Sequence, residues 1–404
     1  MKSFQELELY ELYYLILICY IKGEEVVSYD MIQVWKRIGD KYFDETGKML
    51  DIYDEDERIC LFNWMREKTR YQLLNALIYD MVIKFIDVEG NGIDNRDEFF
   101  INNVYIMNDI MSCDYQLNNQ ENNLSKLNKT KTIDIIKEIL LEIDSNGEWL
   151  RIYEEALLND KIVYLNELNN NQEKELRDKL GITSLKYVDN SCLSIGKNKE
   201  WYIFLRYTGT IIDISTTIHE IVHYINKYYD ESKREKPLLR EFPSIFFELY
   251  ALNYLKKIGY GANELAYIYN ERLSDTHMVI NDTRITSYYL KMFIDNNIIT
   301  EKIDNELNNE INCFGNNKRN CDKVIKDLIA NPYFFFERYP YIIGNFLANK
   351  AMRNIDNDDQ LIAMIRYITE RLSRINVGDV FRIIVPEMEI IDDKENKTKV
   401  KKKK

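Results

Sequence analysis

Two histidines four residues apart are the residues best suited to chemistry. Residues 219–223 read HEIVH, and the chain contains only three histidines in all. An α-helix turns every 3.6 residues, so His219 and His223 lie on one face, where two imidazoles can bind one zinc ion. Glu220 can then take a proton from the metal-bound water. The other interpretation, two histidines on an ordinary amphipathic helix, is disfavoured because this pattern rarely arises by chance in a chain so poor in histidine.

A zinc site of this type needs a third protein ligand, and no histidine follows His223 at the HExxHxxGxxH spacing. The candidate is Glu241, in the segment PLLREFPSIFFELYALNYL. This segment predicts a second helix that starts at Pro237 and is kinked by Pro243. Glu248 shares a face of that helix with Glu241 and can hold one ligating histidine by a hydrogen bond. A surface position is the other interpretation of Glu248.

The residues before the HEIVH helix change to the pattern of a β-strand. Tyr202, Phe204 and Arg206 alternate with their neighbours in a run rich in aromatic and β-branched residues. We expect one short edge strand here within a helical protein. An edge strand can bind an extended peptide through its backbone, so Tyr202, Phe204 and Arg206 are the predicted substrate-binding residues.

These segments together resemble a known family. The runs YTGTIIDISTTIHEIVHYI (207–225) and EFPSIFFE (241–248) are similar to those of the M3 metallopeptidases, which include oligoendopeptidase F and thimet oligopeptidase. In that family a strand and a turn lead into the HExxH helix, and a second helix carries a glutamate ligand. The resemblance covers roughly residues 185–350, and the portion before the motif is shorter than in full-length oligoendopeptidases.

The resemblance implies a role for each matching residue. His219, His223 and Glu241 are the expected ligands of one Zn²⁺ per chain, with Glu220 as the general base. The implied fold is mainly α, a helical bowl with a small β-sheet next to the HExxH helix.

The family also has a tyrosine-rich segment whose hydroxyls bind the carbonyl oxygen as it becomes an oxyanion. Its counterpart here is NPYFFFERYPYIIGNFLA (331–348), which implies Tyr341, or else Tyr339, as the oxyanion donor. Where the family has a histidine this chain has Tyr333, which either takes over the hydrogen bond to substrate or leaves the activity altered. The chain has 30 tyrosines, so packing in the core is the alternative for any one of them.

The predicted function is that of a zinc-dependent metalloendopeptidase that hydrolyses oligopeptides, with Glu220 as the base on zinc-bound water. Two alternatives stay open. A catalytically weak family member would bind peptides or a partner protein, which the substitution at Tyr333 and the short N-terminal part favour. A zinc protease directed at one specific protein is the other.

Composition limits the other function classes. The 404 residues are 46% hydrophobic and 30% charged, which is enough for a buried core and excludes a disordered chain. A net charge of −13 argues against a nucleic-acid partner and against anionic membranes. The six cysteines show no CxxC spacing, so we expect reduced thiols and a cytoplasmic location. The apolar run 13–21 is too short to cross a bilayer and predicts a first core helix.

We expect three regions along the chain. Residues 1–185 form an N-terminal helical region that covers the active-site cleft, 186–391 form the catalytic region, and 392–404 form a disordered charged tail. The segment 87–98 has the spacing of an EF-hand loop, but a polar turn between helices is the preferred interpretation because EF-hands usually occur in pairs.

Overall fold

The computed structural model of the protein describes ten segments of the chain. They are residues 7–23, 29–89, 124–181, 184–195, 200–229, 239–311, 320–331, 334–353, 359–375 and 377–385. The chain divides into two compact units: Met1–Met111 with Asn281–Arg338, and Ser112–Ile280 with Tyr339–Lys404. The predicted boundary at residue 185 falls inside the second unit, and as a domain boundary it stays a prediction.

Helices make up most of the described residues. They are α1 (Leu9–Lys22), α2 (Tyr29–Thr46), α3 (Glu55–Glu89), α4 (Lys129–Ile143), α5 (Glu148–Leu158), α6 (Asn170–Leu180), α7 (Ile212–Tyr229), α8 (Phe242–Lys257), α9 (Ala262–Asn296), α10 (Glu301–Ile311), α11 (Asn320–Ala330), α12 (Phe334–Arg353), α13 (Asp359–Glu370) and α14 (Val377–Ile384). The predicted core helix at the N-terminus is confirmed, since Leu12, Ile16 and Leu17 of α1 are buried.

The second unit contains a sheet of three short strands. They are β1 (Ile162–Tyr164), β2 (Ser191–Ile195) and β3 (Glu200–Leu205), in the order β1-β3-β2. β3 pairs with β1 in parallel and with β2 in antiparallel orientation. A mainly helical fold with a small sheet beside the HExxH helix is therefore confirmed, because α7 packs against β2 and β3.

The prediction that the strand over 202–207 is an edge strand is wrong. Ile203, Phe204 and Leu205 pair with β1 on one side, and residues 200–204 pair with β2 on the other. The alternating aromatic pattern identified a strand but could not show its neighbours, because β1 is only three residues long and lies about 40 residues earlier in the chain. Among the described strands, the outer edges belong to β1 and β2.

The turn before α7 is fixed by one buried carboxylate. Asp213 Oδ1 accepts hydrogen bonds from the backbone N–H and the hydroxyl of Thr208, both at 2.9 Å. Its Oδ2 accepts from the backbone N–H groups of Gly209 at 2.8 Å and of Thr210 at 3.1 Å. Gly209 has a φ of +72°, a left-handed conformation that a side chain would strain. This turn sets where α7 begins and so where its histidines lie.

The amphipathic pattern of α7 explains its orientation. Ile214, Ile218, Ile221 and Ile225 are buried at helical spacing, so the helix presents them to the core. His219 and His223 lie beside this stripe and retain partial exposure. α7 packs most extensively against α8, and also against α4 and α13.

The start of α8 differs from the sequence prediction. The helix begins at Phe242, with Pro243 in its first turn, so the predicted kink at Pro243 is wrong. A proline there costs nothing, because the first N–H groups of a helix have no partner within the helix. Pro237, the predicted start, lies outside the described residues. Glu241 therefore lies at the N-cap position, one residue before the helix.

Three other predictions fall mainly or wholly outside the described residues. The EF-hand-like segment is described only for 87–89, where it continues α3, and the charged tail 392–404 is not described. Tyr333 also lies outside the described residues. Within them, no helix has both the length and the apolar character that a membrane crossing requires.

We predict that Asp213→Ala destabilises the second unit. The four donors of the Thr208–Thr210 turn would lose a charged acceptor, which should lower the free energy of unfolding by about 3 kcal/mol. Urea denaturation followed by circular dichroism measures the change. Asp134→Ala, at an exposed position of α4, should change stability by less than about 0.5 kcal/mol. Equal effects of the two substitutions would contradict the role given to Asp213.

Candidate metal centre

Three side-chain atoms meet at one point between α7 and α8. Nε2 of His223 lies 3.2 Å from Nε2 of His219 and 3.2 Å from Oε2 of Glu241. Nε2 of His219 lies 3.3 Å from the same Oε2. The three atoms thus form a nearly equilateral triangle, and these three residues are the group of potential metal ligands that the described residues contain.

The size of this triangle fits a tetrahedral metal ion. Bonds of 2.0–2.1 Å from zinc to nitrogen or oxygen, at the tetrahedral angle, put ligand atoms about 3.3 Å apart. Hydrogen bonds among the three atoms cannot all form with good geometry, because one N–H can point to only one of the other two atoms. One cation in contact with all three atoms satisfies each of them. The donor set of two imidazoles and a carboxylate is one that zinc binds in catalytic sites.

Glu248 fixes the orientation of the first histidine. Its Oε2 lies 3.0 Å from Nδ1 of His219. A carboxylate at this position favours the tautomer with the proton on Nδ1, which leaves the lone pair of Nε2 directed at the triangle. Glu248 is 3% exposed, so the alternative of a surface position is wrong.

Arginines contact the outer oxygens of both carboxylates. Arg240 Nε donates to Oε1 of Glu241 at 3.0 Å, which leaves Oε2 of Glu241 for the histidines. Arg272 Nε lies 2.6 Å from Oε1 of Glu248. Both carboxylates are therefore shared between an imidazole and a guanidinium group. Ser244 adds a hydroxyl 3.2 Å from Nε2 of His223.

The electrostatics of the site favour a positive charge between these side chains. Burial by itself would lower the pKa of His219, but its hydrogen bonds to Glu241 and Glu248 raise that pKa to about 10. Burial would raise the pKa of Glu241, yet His223 and His219 hold it well below its ordinary value. The pKa of Glu248 is likewise lowered, against the effect of burial, by Arg272 and His219. The carboxylates thus favour positive charge on His219, and the histidines with Arg272 favour negative charge on the two carboxylates.

Glu220 is buried next to the triangle and faces the sheet. Burial raises the pKa of its carboxyl group, while His219 and His223 act in the opposite direction. The charge of Glu220 in turn raises the pKa of the Cys192 thiol on β2, after the larger effect of burial. Glu220 therefore lies on the side of α7 that faces β2.

The substrate-binding residues predicted on β3 make contacts within the protein. Phe204 is fully buried, so the substrate-binding role predicted for it is wrong. The Arg206 guanidinium donates to the backbone carbonyls of Val188 and Leu185 at 3.1 and 2.6 Å, so it holds the preceding turn. The Tyr202 hydroxyl donates to Glu200, and its ring lies against an ammonium group. Tyr202 and Arg206 are half-buried, and their substrate-binding role stays a prediction.

The tyrosine segment is described only in part. α12 carries Tyr339 and Tyr341, and the side chain of Tyr341 is 37% exposed. Gly344 follows Tyr341 by one helical turn and touches the backbone of Glu241, which brings α12 against the candidate ligand. The oxyanion role of the tyrosines stays a prediction.

Sequence reasoning did not find four residues that shape the site: Arg240, Ser244, Arg272 and Gly344. Arg240 and Ser244 lie close to Glu241 in the sequence, and this short separation indicates that they can lie near the candidate ligand. Arg272 lies on the next helix and Gly344 much later in the chain, and only tertiary packing brings them to the site.

Comparison with known proteins gives distant structural likenesses. No family model and no curated protein matches the chain. Similar solved structures include a protein assigned as a peptidase from Chlamydophila abortus, with 13% identity and a TM-score of 0.44 over 81% of this chain. The structure of PZ peptidase A with an inhibitor has 13% sequence identity and a TM-score of 0.41 over 95% of this chain. A protein assigned as an oligoendopeptidase F from Bacillus anthracis str. Ames has 12% sequence identity and a TM-score of 0.43 over 93% of this chain.

All three similar proteins are described as peptidases. The chain spans 59%, 72% and 75% of their respective lengths. Because these likenesses are distant, the argument about function depends on the geometry of the metal centre.

We predict that Gly344→Ala disturbs the metal centre. A Cβ at Gly344 would lie 2.9 Å from the carbonyl carbon of Glu241 and 3.0 Å from the Cβ of Glu241. The two backbones must then separate, which should destabilise the protein by about 1–3 kcal/mol and weaken zinc binding. Thermal unfolding and equilibrium dialysis with zinc measure both effects.

Gly39→Ala is the matched control in α2. The nearest atom to a new Cβ there is 3.7 Å away, an ordinary contact. Alanine in a helix should leave stability unchanged or raise it by up to about 1 kcal/mol. Normal zinc binding by Gly344→Ala would contradict the close packing of α12 on Glu241.

Proposed function

We propose that the chain is a zinc-dependent metallopeptidase that hydrolyses peptide bonds in oligopeptides. The observation that carries the proposal is the triangle of His219, His223 and Glu241, whose atoms are 3.2–3.3 Å apart. The HExxH spacing and the resemblance of the surrounding residues to the M3 metallopeptidases also support it. When bound, zinc would polarise the scissile carbonyl and lower the pKa of water.

The side chains of the protein perform the proton transfers in this mechanism. Glu220 accepts the proton of the attacking water and then donates it to the leaving amine. Its buried position beside the ligands keeps the carboxylate clear of bulk water. Glu248 orients His219, and Arg240 keeps one oxygen of Glu241 away from the ligands. Tyr341, or else Tyr339, would donate a hydrogen bond to the developing oxyanion.

The outer edge of β2 is the surface that suits an extended peptide. The N–H of Ile203 donates to the backbone carbonyl of Lys161, so the backbone groups of Ile203 point towards β1 and away from β2. Ile203 and Cys192, its partner on β2, therefore form a non-hydrogen-bonded pair. The backbone groups of Cys192 and, two residues on, Ser194 therefore point away from β3. Among the described residues no other backbone pairs with them. This edge replaces β3 as the proposed peptide site and runs beside Glu220.

We predict that Glu220→Gln abolishes hydrolysis and preserves zinc. Glutamine keeps the shape of the side chain but cannot accept the proton, so turnover should fall by about 10²–10⁴-fold. Turnover of a quenched oligopeptide library and zinc content by elemental analysis test this. One zinc per chain in both proteins, with turnover in wild type only, is the expected result.

Other outcomes separate the competing functions. Zinc without turnover in wild type would favour a peptide-binding protein. Turnover of one intact protein but not of short peptides would favour a specific protease. A wild-type chain that takes up no zinc would overturn the proposal.

We predict that Ser194→Pro weakens peptide binding without unfolding the sheet. Proline removes an N–H that points to the outer edge of β2, so KM should rise by about tenfold, the loss of one hydrogen bond. Leu193→Pro is the matched control, because the N–H of Leu193 points towards Tyr202 of β3 and its removal should destabilise the protein. Thermal unfolding and steady-state kinetics are the measurements. An unchanged KM for Ser194→Pro would contradict this peptide site.

A further inference from the structure

Arg272 contacts two of the helices that form the metal centre. It lies on α9, and its Nε is 2.6 Å from Oε1 of Glu248 on α8. Its Nη2 donates to Oγ1 of Thr216 on α7 at 2.9 Å. Thr216 precedes His219 by three residues and so lies on the same side of α7. One guanidinium group therefore holds both the helix of His219 and the side chain that orients it.

Glu248 connects this guanidinium to the candidate ligand. Both of its oxygens are engaged, Oε1 with Arg272 and Oε2 with Nδ1 of His219. The guanidinium lies against Oε1 as an ion pair and is itself held by its hydrogen bond to Thr216, so it limits where the Glu248 carboxylate can lie. The position of this carboxylate in turn determines where Oε2 meets Nδ1 of His219. Arg272 and the imidazole are therefore connected through Glu248.

We propose that Arg272 is a positioning residue of the metal centre, acting through Glu248 on His219. This inference rests on the metal site of the proposed function, but it adds a residue that the motif and the ligand set do not contain. Partners beyond the metal ligands commonly change metal affinity by 10–100-fold when they are lost. An ion pair that only stabilises the fold would leave the metal affinity unchanged.

The chain offers a matched control for that alternative. Arg366 Nη1 lies 2.7 Å from Oδ1 of Asp144, and the side chains of this pair are 26% and 3% exposed. The side chains of Arg272 and Glu248 are 37% and 4% exposed. Both pairs join an arginine to a buried carboxylate in the second unit. Asp144 caps α5, where it accepts from the backbone N–H of Glu148 and Trp149.

The test is zinc affinity, measured by competition with a chelating dye. Arg272→Met should weaken zinc binding by about 10–100-fold relative to wild type, and Arg366→Met by less than about twofold. The thermal midpoints of both metal-free variants should fall by similar amounts, because each removes a guanidinium group from a buried carboxylate. Arg272→Lys, which keeps the charge but cannot reach Glu248 and Thr216 together, should lie between wild type and Arg272→Met.

A double-mutant cycle with Glu248→Gln tests the route of the effect. If Arg272 acts through Glu248, then Arg272→Met should weaken zinc binding by less than about threefold in the Glu248→Gln background. An equal loss in both backgrounds would overturn the proposed route. A wild-type affinity in Arg272→Met would overturn the positioning role and leave the proposed function intact.

Two further results have a defined meaning. If Arg272→Met does not fold, Arg272→Lys decides the question, because wild-type zinc affinity in that variant would overturn the proposal and a clear loss would support it. If the wild-type chain itself binds no zinc, the metal site of the proposed function is wrong, and this inference is overturned with it.

Discussion

The burial of negative charge is the constraint on which the structure around the site depends. Glu220, Glu241 and Glu248 are each less than 7% exposed, and they lie on α7, just before α8 and on α8 respectively. A buried carboxylate is tolerated only where cations or hydrogen-bond donors surround it. For Glu241 and Glu248, the two imidazoles and the two arginines supply these partners. The helices that carry them must therefore pack closely, and α8 and α9 are positioned accordingly.

Three local features of the structure determine where the candidate ligands lie. Asp213 fixes the turn before α7, so the register of the two histidines is set at the start of the helix. Pro243 in the first turn of α8 places Glu241 just before the helix, where its side chain reaches across to α7. Gly344 lets α12 approach the backbone of Glu241 more closely than any other residue would allow. Each feature limits the freedom of a candidate ligand before any metal binds.

The sequence predicted which residues come together at the candidate metal centre better than it predicted their surroundings. Helical periodicity places His219 and His223 on one face, so their proximity follows from their spacing alone. Glu241 and Glu248 could be named because they follow the motif closely on a second helix. The sequence does not predict the start of α8 at Phe242. Pro243 suggests a kink inside a helix, but a proline is equally compatible with the first turn of a helix, and that is where it lies.

Long-range packing accounts for what the sequence did not reveal. The central position of β3 depends on pairing with β1, a strand too short to show a pattern of its own. Arg272 has no spacing that connects it to the motif, because the packing of α9 on α7 and α8 decides its contacts. Residues that a short motif brings together are therefore predictable, whereas the residues that contact them from other helices are not.

The balance of charge explains why two arginines are compatible with a cation site. When the imidazoles are neutral and the three carboxylates ionised, as metal ligation and the base role of Glu220 require, the carboxylates and the two guanidinium groups sum to one net negative charge. That charge favours a divalent cation, and the proposed centre with its ion would carry one net positive charge. A hydrolytic site gains from this sign, because negative charge develops on the carbonyl oxygen of the substrate. Without the arginines the centre would be negative even with the ion, and it would oppose the charge that the reaction creates.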